Sequence, residues 1–292
     1  MKSDSSHNSR LETNEQSGMG DTVLQKNPLV SIVTVVLNDE MGISKTIESV
    51  LQQKYEPIEY IVIDGGSTDG TLDKVRSYAD KIDFWVSEQD QGISEAFNKG
   101  IRAAHGNFIG LINAGDWYEP DAVEQIVKTF SVHPETGVVC GALQFWSGEE
   151  KEYACQSEPN LLEKDMTVTH PTCFVRADLY EQHGLFDESY RYAMDYKLLL
   201  GLKVQSVPFI SLRSVLTNMQ HAGSSESNWK DALKETHRAR MELLPGAFVA
   251  TKWYYLFIKT KRNIRLFMQK FGWEQPIAFY RSRMALVKKN KA

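Results

Sequence analysis

Between Leu29 and Leu143 one pattern repeats: a short apolar run rich in β-branched residues, a polar break, then apolar residues at helical spacing. "LVSIVTVVL" (29–37) is a continuous apolar run, as expected of a strand covered on both faces. In "GISKTIESVLQQ" (42–53), Ile43, Ile47, Val50 and Leu51 recur with the period of a helix. "EYIVIDGGSTDGT" (59–71) reads as a strand breaking into a glycine-rich turn, and Leu72, Val75 and Tyr78 mark the helix after it. "DFWVS" is a third strand, and "GISEAFNKGIRAA" is a helix with Ile93, Phe97, Ile101 and Ala104 inward. "NFIGLI" is a fourth strand, the stripe Ala122, Val123, Ile126 and Phe130 a fourth helix, and "GVVCGAL" a fifth strand. Strands alternating with helices at this spacing predict βαβ units and a mostly parallel sheet.

Such a sheet also says where to look for chemistry, since ligands bind beyond the carboxyl ends of its strands. The predicted strand ends deliver Asn38 and Asp39, Asp64 to Asp69, Glu88 to Asp90, and Asn113 to Asp116 toward one crevice. Any one of these is an ordinary turn or cap; Asp116 or Glu119 would cap a helix that Pro120 opens. Together they make a pocket the better reading. The chain has neither G-x-G-x-x-G nor G-x-x-x-x-G-K-[ST], which argues against a dinucleotide fingerprint and a P-loop. An acidic crevice suits a diphosphate when a divalent cation lies between the two.

The succession "SIVTVVLND", "IDGGSTDGT", "SEQDQGISEAFNKGI", "LINAGDWYEPDAV", "HPTCFVRADLYEQHGLFDESYRYAMDYKLLL" and "NMQHAGSSES" resembles glycosyltransferase family 2, in the family's order, over about residues 29 to 227. The likeness is greatest to bacterial enzymes that build cell-surface polysaccharides or glycolipids. It implies an α/β fold of GT-A (Rossmann-like) type: a mostly parallel central sheet flanked by helices, here with a helical C-terminal extension. It also implies a metal-dependent, inverting transfer of a sugar from a nucleotide-sugar donor to a hydroxyl of a glycan or lipid-linked acceptor.

The family's D-x-D-D at the strand end falls on Asn113, Ala114, Gly115 and Asp116, so Asp116 matches the ligand for Mn²⁺ or Mg²⁺ and Asn113 can meet a sugar hydroxyl. Asp64 matches an acid near the nucleoside, but the second acid many members carry is Gly65 here. Asn38, Asp90 and Asn98 complete the expected donor pocket. Ser67, Thr68 and Asp69 read as turn and capping residues, and Lys99 as a phosphate contact or a solvated helix lysine. The family's catalytic base falls on Asp195, within "RYAMDYKLLL" at the start of a helix whose Leu198, Leu199 and Leu202 face inward. A plain acid at a helix N-terminus is the competing reading. His170 and Trp117 fall on the acceptor side, and His221, in a loop resembling a donor lid, is a second metal-ligand candidate. His183 and His237 read as structural. Two rivals stand beside this reading: a nucleotidyltransferase with a related sheet, which releases pyrophosphate, and a sugar-nucleotide-binding protein without activity.

Composition divides the chain unevenly. Residues 1–27 are polar, lack the apolar centre of a secretory signal and read as a disordered leader before a catalytic domain over 28–245. Cys140, Cys155 and Cys173 are widely spaced and fit a reducing, cytoplasmic compartment. From Gly246 to Ala292 there are 11 Lys and Arg against one acid, Glu274, although the whole chain carries −5. Trp253, Phe257, Ile264, Phe267 and Phe271 form an apolar stripe there, with Lys252, Lys259, Lys261, Arg262, Arg265 and Lys270 around it. Residues 246–292 are therefore expected to form a basic amphipathic extension. It either lies on an anionic membrane at its inner face or packs on the catalytic domain. The acidic body argues against nucleic acid as a partner.

Overall fold

The computed structural model describes residues 27–220, 228–244, 246, 248–270 and 289–291. The strand and helix pattern read from the first half is present. β1 (Val30–Val36), β2 (Ile58–Asp64), β3 (Phe84–Ser87) and β4 (Phe108–Asn113) alternate with α1 (Ile43–Leu51), α2 (Thr71–Ser77) and α3 (Ile93–Ala103). These four strands are parallel, in the order β3-β2-β1-β4. Every residue of β1 is buried, as its unbroken apolar run requires. Alternate residues feed two cores: Val33, Ile61, Ile63 and Leu111 face one side, and Ile32, Val62 and Ile112 the other. Fully burying each such side chain stabilises the fold by about 1.5–3 kcal/mol.

Past β4 the sheet changes character. β5 (Trp117–Tyr118) is a short strand that the residue pattern did not announce, and it pairs with β9 (Phe209–Gln220). After α4 (Ala122–Val132), "GVVCGAL" opens β6 (Val138–Ser147), which forms an antiparallel pair with β7 (Glu150–Gln156). β8 (Phe174–Arg176) lies between β4 and β6, antiparallel to both, and β6 runs parallel to β9. The sheet is thus parallel where the donor crevice was expected and mixed beyond it. α5 (Ala177–His183) and α6 (Met194–Val204) follow β8, with Leu199 and Leu202 buried as expected.

The described residues of the C-terminal part pack on the rest of the protein. α7 (Trp229–Leu243) carries α8 (Phe248–Lys270) against it: His237 stacks on Tyr255 at 4.7 Å, and the guanidiniums of Arg240 and Arg262 lie 4.7 Å from the Tyr254 ring and 4.9 Å from the Trp229 ring. Arg262 therefore turns inward instead of flanking the stripe. The Tyr254 hydroxyl donates to Asp165 at 2.7 Å. β10 (Lys289–Lys291) then pairs with β7 at the sheet edge, so the extension is not wholly helical. Phe271 lies outside the described residues. Among those described, no helix is long and apolar enough to cross a membrane.

Candidate functional site

The ends of β1, β2, β3 and β4 lie along one edge of the parallel region, so the turns after them meet. At the β4 end the chain turns at Gly115, whose φ of +86° is a left-handed conformation that glycine adopts without strain. Thr46 of α1 locks that turn: its hydroxyl accepts the Gly115 N–H at 2.9 Å and donates to the Asp116 carbonyl at 2.7 Å. Asp116 is 5% exposed, and one oxygen of its carboxylate is buried with no hydrogen-bond partner in the protein. Burial pushes that carboxyl up to about 8, against the Asn113 amide and with the charge of Asp39 adding to the rise. Asp116 has no capping duty, because α4 begins at Ala122 without a side-chain cap and Glu119 instead accepts from the Asn218 amide at 2.8 Å.

Gly65 and Gly115, two of the positions that lack a family acid, share a second feature. A Cβ on Gly65 would lie 2.4 Å from Oδ2 of Asp90, and one on Gly115 would lie 3.1 Å from Oδ2 of Asp39. At both, a carboxylate from a neighbouring loop reaches into the room that the missing side chain leaves. Asp39 belongs to the site, yet among the strand-end acids nothing in its sequence position distinguished it. Its Oδ1 accepts the Gly42 N–H at 2.9 Å, which fixes the carboxylate at the start of α1. Asp90 is half-buried; desolvation raises its carboxyl, against the N–H of Gly92 and the charge of Lys99.

Other expected donor residues hold the turns. The Asp64 carboxylate is buried and accepts from the Ser67 N–H, the Ser67 hydroxyl and the Ser87 hydroxyl. Asn38, at φ 53°, accepts the Thr68 N–H at 2.8 Å, and Asp69 accepts the Thr71 N–H at 3.0 Å, in keeping with the turn reading of this loop. Asn98 requires a correction. It is 1% exposed, and its amide bonds Phe186 O, Phe186 N and Glu188 at 2.9 Å each, so it ties α3 to the loop before α6 and does not line a donor pocket. Lys99 is paired with Glu88 at 2.9 Å and Glu95 at 3.1 Å, so it is not a freely solvated helix lysine. Trp117 stands beside Asp116 with the Lys45 ammonium 3.0 Å from its ring centroid.

The second centre is the start of α6. Asp195 is half-buried, and one of its oxygens accepts the Tyr196 N–H at 2.7 Å. Desolvation raises its carboxyl, opposed by His170 and that N–H, while Glu235 of α7 adds to the rise. His170 sits in the turn His170–Thr172 before β8, edge-on to Phe97 and Phe186 at 5.6 and 5.9 Å. Desolvation lowers its pKa against the pull of Asp195, so a neutral imidazole stands beside a carboxyl of raised basicity. His170 and Asp195 are 25 positions apart in sequence, yet the fold brings each within electrostatic reach of the other. Asp187 differs: despite burial, Lys197 at 2.5 Å and the Ser189 contacts hold its carboxyl down to about 2.

A divalent cation fits at Asp116, on the orphaned buried oxygen and the neighbouring Asp39 charge. Among the described residues no group of three or more His, Cys, Asp or Glu forms a complete metal cage, so a cation there would need further ligands from a bound molecule or water. His221 lies outside the described residues.

The sequence pattern described as glycosyl transferase family 2 matches residues 31–194, more than half of the chain. An uncharacterised glycosyltransferase of Rickettsia typhi is 28% identical over 244 residues, covering 76% of each chain. The putative glycosyltransferase EpsH of Bacillus subtilis is 41% identical over 107 residues, 36% of this chain and 31% of EpsH. Among solved structures, Staphylococcus aureus TarS 1–349 superposes with a TM-score of 0.58 at 17% identity, over 72% of this chain and 64% of that one. The mannosyltransferase PcManGT of Pyrobaculum calidifontis does so at 0.58 and 18% identity, over 85% and 83%. Those structures carry the GT-A fold, and the strand order and the crevice described above agree with it. The chain is a glycosyltransferase and belongs to glycosyltransferase family 2.

Proposed function

We propose that this glycosyltransferase moves a sugar from a nucleotide-sugar donor to a hydroxyl of a glycan or lipid-linked acceptor, with a divalent cation and with inversion at the anomeric carbon. The observation that carries this reading is the pair of raised carboxyls: Asp116 with its unpartnered oxygen at the strand ends, and Asp195 beside the neutral His170. TarS was solved with UDP-GlcNAc and PcManGT with GDP-Man and Mn²⁺, which supports the donor class and the cation. Mn²⁺ or Mg²⁺ would be held by Asp116, with Asp39 contributing charge, and would supply Lewis-acid stabilisation of the departing nucleoside diphosphate. Asn113 and Asp90 line the donor side, and Asp64 and Asn38 hold the turn that shapes it.

On the acceptor side, with His170 and Trp117 nearby, Asp195 takes the proton of the attacking hydroxyl. The oxygen–anomeric carbon bond forms as the bond to the diphosphate breaks, and the electron pair leaves with the diphosphate. One base and one displacement invert the centre. A carboxylate in this role contributes about 10²- to 10⁴-fold.

Peripheral attachment to the cytoplasmic face of a membrane completes the reading. α8 packs on α7 through Tyr254, Tyr255 and Arg262, while Trp253 and Phe257 on its other side are 70% and 53% exposed, and Leu256 and Ile264 extend the stripe. Packing and membrane contact thus use different faces of one helix.

The test is a panel of nucleotide sugars incubated with enzyme and Mn²⁺, with products followed by phosphorus and proton NMR. Nucleoside diphosphate and a sugar of inverted configuration are expected. Pyrophosphate release would favour a nucleotidyltransferase instead, and no turnover with any donor would favour a binding protein.

A further inference from the structure

α7 lies beyond the residues that match the family pattern, yet it reaches the centre of the acceptor side. The carboxylate of Glu235 accepts three successive main-chain N–H groups, from Arg191 at 3.0 Å, Tyr192 at 2.7 Å and Ala193 at 2.9 Å. These donors lead directly into the first turn of α6, where helix geometry leaves N–H groups without internal partners. The same face of α7 makes further contacts with this segment. Arg238 donates to the Ser189 hydroxyl at 3.0 Å and lies over the Tyr190 ring, and Glu242 pairs with Lys197 at 2.7 Å. Residues 189–197 are therefore gripped at several points, and Asp195 lies within the grip.

We propose that Glu235 is a positioning residue of the transfer step: through three main-chain N–H groups it fixes the first turn of α6, and with it the Asp195 carboxylate, against the acceptor side. Two consequences follow from its chemistry. Geometrically, a carboxylate that accepts three N–H groups holds the turn more firmly than a neutral amide, which has one accepting oxygen and a donating NH₂ group. Electrostatically, its negative charge beside the helix start offsets the positive end of the α6 dipole, which would otherwise make Asp195 a weaker base. The groups facing Asp195 are His170 from the turn before β8, the Cys173 thiol, Glu235 from α7 and the Tyr196 N–H on α6 itself. Of these, Glu235 is the one that adds negative charge from α7.

This inference rests on Asp195 being the base, so the experiment separates the two. Glu235→Gln, Glu235→Asp and Asp195→Asn are compared with wild type, using the nucleotide sugar selected by the panel and water as acceptor. Donor KM, kcat, melting temperature and the pH profile of kcat/KM are measured for each. Glu235→Gln keeps the shape and removes the charge; it is expected to lower kcat about tenfold, leave donor KM unchanged and move the acid limb down by about half a pH unit. Glu235→Asp keeps the charge and shortens the reach; it is expected to lower kcat with the acid limb in place. If Asp195→Asn is impaired while both Glu235 variants keep wild-type kcat and acid limb, even with lower melting temperatures, Glu235 is structural only and the inference is overturned. If Asp195→Asn turns over at the wild-type rate, the base assignment itself fails.

Discussion

Asp116 stands at the end of a parallel strand with another acid, Asp39, close enough to raise it; Asp195 stands in the first turn of a helix beside a neutral imidazole. Desolvation raises both carboxyls, but the company each keeps sorts their uses. A buried carboxylate with an unpartnered oxygen and an acidic neighbour is relieved by a cation. A carboxylate beside an uncharged histidine, its basicity raised by burial, is instead suited to gaining and losing a proton. The supports differ as well. Asp116 is set by the Gly115 turn and by Thr46 of α1, whereas the residues leading into Asp195 are held by α7.

The sharpest way to break this division is at the base. Asp195→Asn keeps the shape but cannot take a proton at neutral pH, so transfer should fall by about 10² or more. In wild type the base must be ionised, so kcat/KM should be highest at higher pH and fall as pH drops through the Asp195 pKa. Since burial raises that pKa, the fall should lie above the ordinary carboxylate value of about 4. A pH–rate profile checks the position of the limb, and a limb at or below that value would count against Asp195.

A smaller effect is expected at the donor-side support. Thr46→Val removes both hydrogen bonds to the β4 turn and leaves a half-buried N–H and a buried carbonyl without this partner, so unfolding free energy should fall by about 1–3 kcal/mol. Denaturant titration measures this, and an unchanged midpoint would mean that the turn is held by other contacts.

At the surface of α8, Lys252→Ala and Lys259→Ala should each weaken binding to anionic vesicles by about 1 kcal/mol, less at high salt. Trp253→Ser with Phe257→Ser should weaken it at all salt concentrations, because the apolar stripe is insensitive to screening. Wild-type protein that ignores anionic vesicles at low salt would leave α8 with its packing role alone.

The smallest effect is expected at Asp187, whose carboxyl is held down and not raised. Asp187→Asn should leave transfer close to wild type and reduce stability by only about 0.2–1 kcal/mol, as for a partly exposed ion pair. Because the folded pKa of Asp187 is depressed to about 2, that stability is present above its unfolded value and is lost as pH falls through the folded one. Stability measured against pH for both proteins should therefore converge near pH 2.

The parallel half of the fold was legible because burial on both faces writes itself into the sequence as unbroken apolar runs, as in β1. β5, β7 and β8 were not: β5 and β8 are two and three residues long and take their partners from distant strands, and β7 is a partly exposed hairpin partner of β6. In the site, a strand end at Asp116 and a helix start at Asp195 could be read locally, but the roles expected of the two acids came from the family resemblance alone. Asn98 misled, because a polar residue on an amphipathic helix carries no mark of whether it meets a ligand or bonds a loop 88 residues away. Asp39, named only as one of several strand-end acids, and Glu235, not named at all, were not singled out for a related reason. Their roles depend on what a glycine lacks in another loop and on which helix docks against α6.

The central claim is that Asp116 binds and Asp195 reacts. Isothermal titration of the accepted nucleotide sugar, with and without Mn²⁺, into wild type, Asp116→Ala and Asp195→Asn tests it most directly. The account predicts that Asp116→Ala loses the Mn²⁺-dependent part of donor affinity, while Asp195→Asn binds donor and metal as wild type does. Equal Mn²⁺-dependent affinity in wild type and Asp116→Ala, or its loss in Asp195→Asn, would contradict it.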